Sequence, residues 1–204
     1  MSQAPRAVVF DVGHVLVDWD PRYLYEKLIP EGVRLDDFLA RVVTRAWHYQ
    51  HDAGRAFAET SAELIARHPE HRALIEAYGP RFAETIPARI AGMTALVEAL
   101  AARRVPLFAI TNFSAEFWPP IRAREAELFD RFTAIVVSGE EKLVKPDPAI
   151  FTLALARFGL AEGEGLFVDD RAENVVAARA SGFLGHVFTG AAPLRAVLEG
   201  YGLL

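Results

Sequence analysis

The sequence predicts an α/β fold: a doubly wound parallel sheet of the Rossmann-like kind, with an all-helical segment inserted into it. A short apolar run at residues 7–10, Ala-Val-Val-Phe, is typical of a strand buried on both faces. Helical patterns without strand-like runs follow as far as about residue 87. Beyond Gly92, apolar runs alternate with amphipathic helices, which is the pattern of parallel strands joined by helical crossovers.

The individual elements are predicted in order from local signals. Asp20 before Pro21 is a typical helix start, because a carboxylate caps the first turn and proline fits its first position. Glycine after an amphipathic run, as at Gly182, is typical of a helix end. Strands are predicted over residues 7–10, 105–110, 134–137, 166–168 and 185–188, and helices over residues 21–28, 35–46, 54–67, 70–85, 93–103, 115–128, 148–158, 172–181 and 191–199. We therefore divide the chain into a core domain, residues 1–17 and 88–204, and a helical insert, residues 18–87.

Composition excludes several classes of function. The 204 residues are 52% hydrophobic and 24% charged, which is typical of a globular chain. The net charge is −5 and there is no basic run, so we expect no nucleic-acid partner. There is no cysteine for a disulfide or a thiolate metal site, and no apolar stretch long enough to span a membrane. We expect a cytoplasmic protein that is a monomer or a homodimer and has no membrane partner.

Polar residues with compatible chemistry follow the predicted strands. Because the carboxyl ends of parallel strands share one edge of the sheet, these side chains are expected to converge there. Three carboxylates together repel one another unless a hard cation such as Mg²⁺ lies between them, and an ammonium group adds fixed positive charge. A carboxylate that attacks phosphorus forms an aspartyl-phosphate, which water then hydrolyses. The residues concerned are Asp11, Thr111, Asn112, Lys145, Asp169 and Asp170.

Four sequence motifs in this order resemble those of the haloacid dehalogenase-like hydrolase superfamily. They are Phe-Asp-Val-Gly-His-Val-Leu at 10–16, Ile-Thr-Asn at 110–112, Val-Lys-Pro-Asp-Pro-Ala-Ile-Phe at 144–151 and Phe-Val-Asp-Asp-Arg-Ala-Glu-Asn-Val at 167–175. The helical insert resembles the small α-helical cap, called C1, of that family.

The resemblance implies a role for each matching residue. Asp11 is expected to be the nucleophile, and the catalytic set also includes Thr111 and Lys145. Thr111, Asn112 and Lys145 are expected to bind phosphate. The expected Mg²⁺ site consists of Asp11, the Gly13 carbonyl, Asp169 and Asp170, with Asn174 supporting it. The implied partner is a small-molecule phosphate ester.

The first motif departs from the family pattern at Gly13. Most phosphatases of this family have a second aspartate there, which protonates the leaving group, a contribution of about 10²–10⁴-fold for general acid–base catalysis. The sequence resembles a sugar-phosphatase branch that also has Asp-x-Gly. The proton donor is then expected to be His14 or a residue of the helical insert such as His48, His51 or Asp52.

Three functions are compatible with these residues. The first is an Mg²⁺-dependent phosphatase of a small phosphorylated metabolite, with a sugar phosphate as the preferred substrate. The second is a metal-independent 2-haloacid dehalogenase, which needs no proton donor for its leaving group, although the Asp169-Asp170 pair favours a metal site. The third is a degenerate phosphate-binding protein without catalysis, since the usual acid is missing at Gly13.

Overall fold

A computed structural model describes residues 4–29 and 34–204 and contains the predicted parallel sheet. Five strands form this sheet in the order β5-β4-β1-β6-β7, and every neighbouring pair is parallel. Two further short strands, β2 and β3, pair antiparallel. The strands are Ala7–Phe10 (β1), Val17–Asp18 (β2), Ala88–Arg89 (β3), Leu107–Thr111 (β4), Ala134–Val137 (β5), Gly165–Asp169 (β6) and Leu184–Val187 (β7). The predicted fold class is confirmed.

Helices connect the strands and cover both faces of the sheet. None of the helices in the described part of the chain is both long and apolar enough to cross a lipid bilayer. The helices are Arg22–Tyr25 (α1), Leu35–Arg41 (α2), Arg45–Asp52 (α3), Phe57–Arg67 (α4), Arg72–Ala77 (α5), Met93–Ala102 (α6), Trp118–Arg124 (α7), Ala126–Phe129 (α8), Ser138–Glu141 (α9), Pro148–Phe158 (α10), Ala172–Ala180 (α11) and Ala191–Gly200 (α12). Short 3₁₀ turns lie at Pro69–His71 and Phe82–Thr85.

Alternate residues of the central strands pack into two separate hydrophobic layers. In β1, Val8 and Phe10 join one layer, and Ala7 and Val9 join the other. Successive side chains of a strand point to opposite faces, so both faces of β1 are buried and the four residues are 0% exposed. This double burial is why the strand is a continuous apolar run in the sequence.

The helical insert leaves and re-enters the core through β2 and β3. Val17 pairs with Arg89 and Asp18 with Ala88, so the two connecting segments run side by side. These are the positions at which the sequence predicts the insert to begin and end. Helices α1 to α5 lie between the two strands. The division into a core domain and a separate helical cap stays a prediction.

The insert contains one helix that the sequence pattern did not predict. The expected helix over residues 35–46 ends at Arg41, and α3 begins at Arg45. The reason is local: the Thr44 hydroxyl accepts a hydrogen bond from the Trp47 amide, at 3.1 Å, and caps a new helix. A further expected helix, over residues 115–128, is split at Glu125 into α7 and α8.

The carboxyl ends of β1, β4 and β6 meet at the middle of the sheet. From β1 the chain proceeds to β4 and β5 on one side, and then crosses to β6 and β7 on the other. Such a reversal of strand order opens a crevice at the strand ends, which is where open α/β sheets bind ligands.

Candidate active site

Asp11 lies directly after β1, at the reversal point of the sheet. Its amide donates to the Val168 carbonyl of β6 at 2.8 Å, which continues the strand pairing as far as the side chain. The Asp11 Oδ1 atom accepts hydrogen bonds from the Val12 amide, at 2.7 Å, and is 2.8 Å from the Lys145 Nζ. Asp11 is only 8% exposed. A strand buried on both faces thus delivers a carboxylate to the crevice.

Lys145 bridges two carboxylates at the centre of the site. Its Nζ lies 2.8 Å from Asp11 Oδ1 and 2.8 Å from Asp169 Oδ2, and the side chain is almost completely buried. The Asn112 side chain holds the backbone of Lys145 at both ends: its Oδ1 accepts from the Lys145 amide at 2.8 Å, and its Nδ2 donates to the Lys145 carbonyl at 3.0 Å. The end of β4 therefore positions the lysine.

The Asp169 carboxylate is fully engaged within the protein. Its Oδ1 accepts from the Arg171 amide at 2.8 Å and from Asn174 Nδ2 at 3.1 Å. Its Oδ2 accepts from Lys145 Nζ at 2.8 Å and from Asn174 Nδ2 at 3.0 Å. Two donors on each oxygen leave no free lone pair. Asp169 therefore orients the neighbouring groups.

The donor atoms around Asp11 suit a divalent cation. Asp11, Asp169 and Asp170 each place a carboxylate oxygen within 4.8 Å of the other two. The hydrogen bonds of the loop after Asp11 pass from the Val17 amide to Val12 and from the His14 amide to Val17. Among the described residues, no backbone amide of that loop donates a hydrogen bond to the Gly13 carbonyl. This oxygen could therefore serve as a further ligand. Oxygen donors alone are what Mg²⁺ prefers.

Burial raises the pKa of the carboxylates at this site. The pKa of Asp11 rises to about 7, because burial outweighs the attraction of Lys145 and the charge of Asp169 adds to the rise. The pKa of Asp170 is raised by burial and then by the Asp169 charge. A divalent cation beside these groups would favour their ionised forms. The carboxylate cluster therefore fits a bound cation in charge as well as in donor type.

A cavity of about 490 Å³ opens above the strand ends, between the core and the helical insert. Of the residues predicted for the site, those at its wall are Asp11, Gly13, His14, His48, Asp52, Asn112, Lys145, Asp170 and Asn174. Thr111 and Asp169 are 0% exposed and lie behind this wall. The Thr111 Oγ1 atom is buried without a hydrogen-bond partner, so it has donor capacity to spare.

Aromatic side chains of the helical insert form another part of the wall. The rings of Trp19 and His48 stack with their centroids 4.5 Å apart, and His48 also lies parallel to Phe82 at 6.0 Å. The Tyr78 hydroxyl lies 2.8 Å from His48 Nδ1. Trp19, Phe82 and Tyr78 are not assigned to the site from the sequence, because a single aromatic residue in a helix gives no signal that separates a core position from a site position.

The two histidines of α3 occupy different environments. His48 lines the cavity, whereas His51 is 1% exposed, lies away from the cavity wall and bonds to Thr60 Oγ1 through Nε2 at 2.6 Å. Burial and the charges of His51 and Arg45 lower the pKa of His48 to about 3. Burial and the charge of Arg55 lower the pKa of His51 to about 4. Both rings are thus neutral at neutral pH and carry no acidic imidazolium proton.

His14 and Asp52 are the other two groups that the sequence proposes as proton donors. His14 lies at the cavity wall in the loop after Asp11, edge-on to Trp19 at 6.0 Å. Asp52 lies at the end of α3, also at the cavity wall, and is 5% exposed. The fold therefore brings one residue of the core loop and one of the insert to the same cavity.

Comparison with known proteins identifies the family. A family model described as haloacid dehalogenase-like hydrolase matches residues 5–182. A phosphoglycolate phosphatase of Yersinia pseudotuberculosis is 30% identical over 193 residues, which cover 88% of this chain and 79% of that protein. A sesquiterpene phosphatase of Aspergillus oryzae is 27% identical over 186 residues, which cover 88% of each chain.

Solved structures share the fold at low sequence identity. A HAD family enzyme of Bacteroides thetaiotaomicron, in complex with magnesium and inorganic phosphate, superposes with a TM-score of 0.69 at 18% identity, over 91% of this chain and 95% of that one. The L-2-haloacid dehalogenase of Xanthobacter autotrophicus superposes with a TM-score of 0.65 at 18% identity, over 96% and 83% of the two chains. Because the family model spans most of the sequence and the two sequence relatives described above are phosphatases, this chain belongs to the haloacid dehalogenase-like hydrolases and is a phosphoric monoester hydrolase of that family.

Proposed function

We propose that this protein is an Mg²⁺-dependent phosphatase that transfers the phosphoryl group of a small phosphate ester to Asp11. The observation that carries the proposal is the position of Lys145, whose Nζ lies 2.8 Å from both Asp11 and Asp169. A buried ammonium at this point holds the Asp11 carboxylate in place and offers positive charge to a bound phosphate. Neutralising the transferring group is the main task in phosphoryl transfer.

Each residue of the site has a part in this proposal. An Asp11 oxygen attacks phosphorus, the bond to the ester oxygen breaks, and an aspartyl-phosphate forms on the side chain. Thr111, with its unpartnered hydroxyl, donates a hydrogen bond to a phosphate oxygen. Asn112 positions Lys145 through its two backbone contacts, and its second Nδ2 hydrogen is free for the phosphate. Water then hydrolyses the aspartyl-phosphate and regenerates Asp11.

Mg²⁺ would be held by Asp11, Asp170 and the Gly13 carbonyl. Asp169 supports this set from behind, because Arg171, Lys145 and Asn174 already occupy its two oxygens. When bound, the cation supplies positive charge for the carboxylates and for the phosphate oxygens. The same cluster of three carboxylates argues against the metal-independent dehalogenase, which would have no use for a site of this charge.

The substrate is proposed to be a small phosphorylated metabolite, with a sugar phosphate as the first candidate. A volume of about 490 Å³ is at the lower end of the range for small-ligand cavities. Trp19 and Phe82 present aromatic surface to it, which suits the apolar face of a sugar ring, and Arg45 adds a cation at the wall. Phosphoglycolate and a sesquiterpene phosphate ester belong in the same panel of substrates, because the two sequence relatives are named a phosphoglycolate phosphatase and a sesquiterpene phosphatase.

The test is phosphate release from a panel of sugar phosphates, phosphoglycolate, a sesquiterpene phosphate ester and 4-nitrophenyl phosphate. We expect turnover that requires Mg²⁺, is lost with EDTA and falls at least about 10⁴-fold in Asp11→Asn, because a nucleophile cannot be replaced by an amide. The matched control is Asp130→Asn, an exposed aspartate of the core that is remote from the cavity and should leave turnover unchanged. Turnover that survives EDTA or Asp11→Asn, or metal-free chloride release from a 2-haloacid, would overturn the proposal.

A further inference from the structure

Position 13 contains no group that can protonate a leaving group. Gly13 lies at the cavity wall two residues after Asp11, and a Cβ atom built there meets no other atom within 4 Å. The backbone at Gly13 does not adopt a positive φ, so neither steric crowding nor conformation requires glycine. The cavity therefore has room for an acidic side chain at position 13, but glycine provides none. An alkoxide is a poor leaving group, so a donor from elsewhere has to reach this cavity.

Asp52 is a buried carboxyl group at the same cavity wall as Asp11. It is the last residue of α3 and is 5% exposed. Its Oδ1 atom is buried and has no hydrogen-bond partner, whereas its Oδ2 atom lies 3.5 Å from His48 Nε2. A buried carboxyl oxygen without a partner is costly, and such groups cluster at functional sites. Neither carboxyl oxygen of Asp52 makes a hydrogen bond with another described residue, and Oδ2 lies near the His48 ring.

His48 lies between the Asp52 carboxyl and the buried Tyr78 hydroxyl. The Tyr78 side chain is completely buried and its pKa is raised well above the usual value, so its hydroxyl keeps its proton and can donate to His48 Nδ1 at 2.8 Å. In that tautomer His48 Nε2 carries the hydrogen and faces Asp52 Oδ2. The proton of a neutral Asp52 is then on Oδ1, which is closed to solvent, so the carboxyl group has to rotate to present this proton to the cavity.

The backbone of Asp52 is fixed to the core. The Ser138 hydroxyl donates to the Asp52 carbonyl at 2.6 Å, and the Ser138 Oγ atom accepts from the Phe113 amide at 2.9 Å. Phe113 follows Thr111 and Asn112 at the end of β4. The end of α3 is therefore positioned relative to the strand ends that hold the phosphate site, although α3 belongs to the helical insert.

The charges around Asp52 agree with a neutral carboxyl. The pKa of Asp52 rises to about 8, first because the group is buried and then because the Asp11 charge is close, while Lys145 opposes the rise. The group therefore carries a proton at neutral pH. His48 and His51 are uncharged at neutral pH and carry no imidazolium proton, because burial lowers the pKa of each ring.

We propose that Asp52 is the general acid of this phosphatase and replaces the aspartate that the family usually has at position 13. This inference rests on the proposed function. As the bond between phosphorus and the ester oxygen breaks, its electron pair stays on that oxygen, which takes the proton of Asp52. The products of this step are the free alcohol, the aspartyl-phosphate on Asp11 and an ionised Asp52. The water that attacks the aspartyl-phosphate then returns a proton to Asp52 and inorganic phosphate leaves.

The test is the dependence of kcat/KM on the leaving group in Asp52→Asn. The substrates are 4-nitrophenyl phosphate, phenyl phosphate and an alkyl phosphate, with Mg²⁺ present. The ratio kcat/KM reports formation of the aspartyl-phosphate and excludes its hydrolysis. We expect a loss of about 10²–10⁴-fold for the alkyl phosphate and less than about 10-fold for 4-nitrophenyl phosphate, because 4-nitrophenolate leaves without a proton. A purely structural role of Asp52 would lower all three values equally.

Three controls make the outcomes distinct. Asp37→Asn, the same change at an exposed aspartate of α2, should leave all three values unchanged, and thermal melting shows that Asp52→Asn is folded. Asp11→Asn should lose activity on every substrate. An equal loss on the three substrates in Asp52→Asn, or no loss on any, would overturn the inference while the phosphatase proposal stands. Wild-type turnover that does not need Asp11 would overturn both.

Discussion

The two walls of the cavity hold buried carboxylates in opposite ways. On the sheet edge, Asp11 and Asp169 share the Lys145 ammonium and accept further bonds from backbone and amide donors. On the insert side, the Asp52 carboxyl makes no hydrogen bond with another described residue, and its Oδ2 lies 3.5 Å from the Nε2 of the neutral His48. Donors and cations favour a charged carboxylate, whereas burial without them favours a neutral acid. In the proposed mechanism, one cavity thus holds a nucleophile on one wall and a proton donor on the other.

The two walls also differ in how they are built. The sheet edge collects residues from the ends of three strands and the loop before α10, so its geometry follows from the parallel sheet. The insert wall depends on aromatic packing among Trp19, His48, Tyr78 and Phe82. The main effect of a substitution on the sheet edge should therefore be on the balance of charge between Lys145 and its carboxylates. The main effect of one on the insert wall should be on the protonation of Asp52.

The largest expected effect comes from removing the cation of the sheet edge. Lys145→Met leaves the Asp11 and Asp169 carboxylates buried without their shared partner. Turnover should fall by about 10³-fold, since the phosphate loses a fixed charge at the site where negative charge is transferred. The free energy of unfolding should fall by about 3–5 kcal/mol, the usual cost of breaking a buried ion pair. Steady-state kinetics and urea unfolding measure the two effects.

Lys142→Met is the matched control for this prediction. Lys142 lies three residues earlier in the same loop, is exposed and makes no ion pair among the described residues. Its replacement should change neither turnover nor stability appreciably. If Lys145→Met were as active and as stable as Lys142→Met, the ammonium would not balance the sheet-edge carboxylates, and the contrast between the two walls would fail.

A smaller effect is expected from the amide that orients Asp169. Asn174→Ala removes donors at 3.0 Å and 3.1 Å from the two Asp169 oxygens, so this carboxylate is no longer fixed against Lys145 and Asp170. The Mg²⁺ concentration for half-maximal phosphate release should rise by about 10–100-fold, as is usual when a group that orients a metal site is lost. The maximal rate at saturating Mg²⁺ should change less.

Val176→Ala provides the comparison for Asn174→Ala, because Val176 lies on the same helix and is 64% exposed. This variant should keep the Mg²⁺ dependence of the wild type. An unchanged Mg²⁺ dependence in Asn174→Ala would mean that Asp169 does not need its amide partner, and that Lys145 alone holds the sheet-edge wall together.

The last expected effect is a pH-dependent gain of stability in Asp52→Asn. The pKa of Asp52 is about 8 in the folded protein, against an ordinary value of 3.8. Between these values the folded protein binds more protons than the unfolded chain, so stability falls as pH rises, by at most about 1.4 kcal/mol per pH unit. Asparagine has no proton to lose. The free energy of unfolding of Asp52→Asn, relative to that of the protein with aspartate at position 52, should therefore increase from acid pH up to about pH 8. Above that pH the difference should stay constant.

The measurement is urea unfolding at several pH values between acid and alkaline pH. The groups that face Asp52 are Asp11 and Lys145 of the core and His48, Tyr49 and Tyr78 of the insert. Asp11 titrates in the same range, so aspartate and asparagine at position 52 are compared in the Asp11→Asn background. Asp37→Asn should give no such trend. If the difference in free energy of unfolding between aspartate and asparagine at position 52 did not vary with pH, the pKa of Asp52 would be the same in the folded and unfolded protein. The contrast between a charged sheet edge and a protonated Asp52 would then fail.

Much of the sheet edge could be predicted from the sequence because each residue is marked by its place in the chain. Asp11, Thr111, Asn112, Asp169 and Asp170 follow or end apolar runs, and parallel strands bring such ends together. Their partners could not be predicted in the same way. That Asn112 is engaged with the backbone of Lys145, and that both Asp169 oxygens are occupied, depends on rotamers and loop paths that no local pattern contains.

The insert wall was harder to predict for a different reason. Helical periodicity indicates which residues are apolar, but it does not say where one helix stops and the next begins. A single hydroxyl, Thr44, starts α3 and so sets the direction of His48 and Asp52. The sequence names these residues as candidate proton donors together with His14 and His51, and gives no means to choose among them.

The alternation of strands and helices, the family and the polar residues at the strand ends could all be predicted, because they depend on local apolar periodicity and short motifs. Only the tertiary structure decided that His51 is turned toward Thr60, that Asp52 is buried at the cavity wall with one oxygen unpartnered, and that Ser138 ties it to the end of β4. Burial and hydrogen bonding between distant segments control protonation, and neither is encoded in the spacing of residues along the chain.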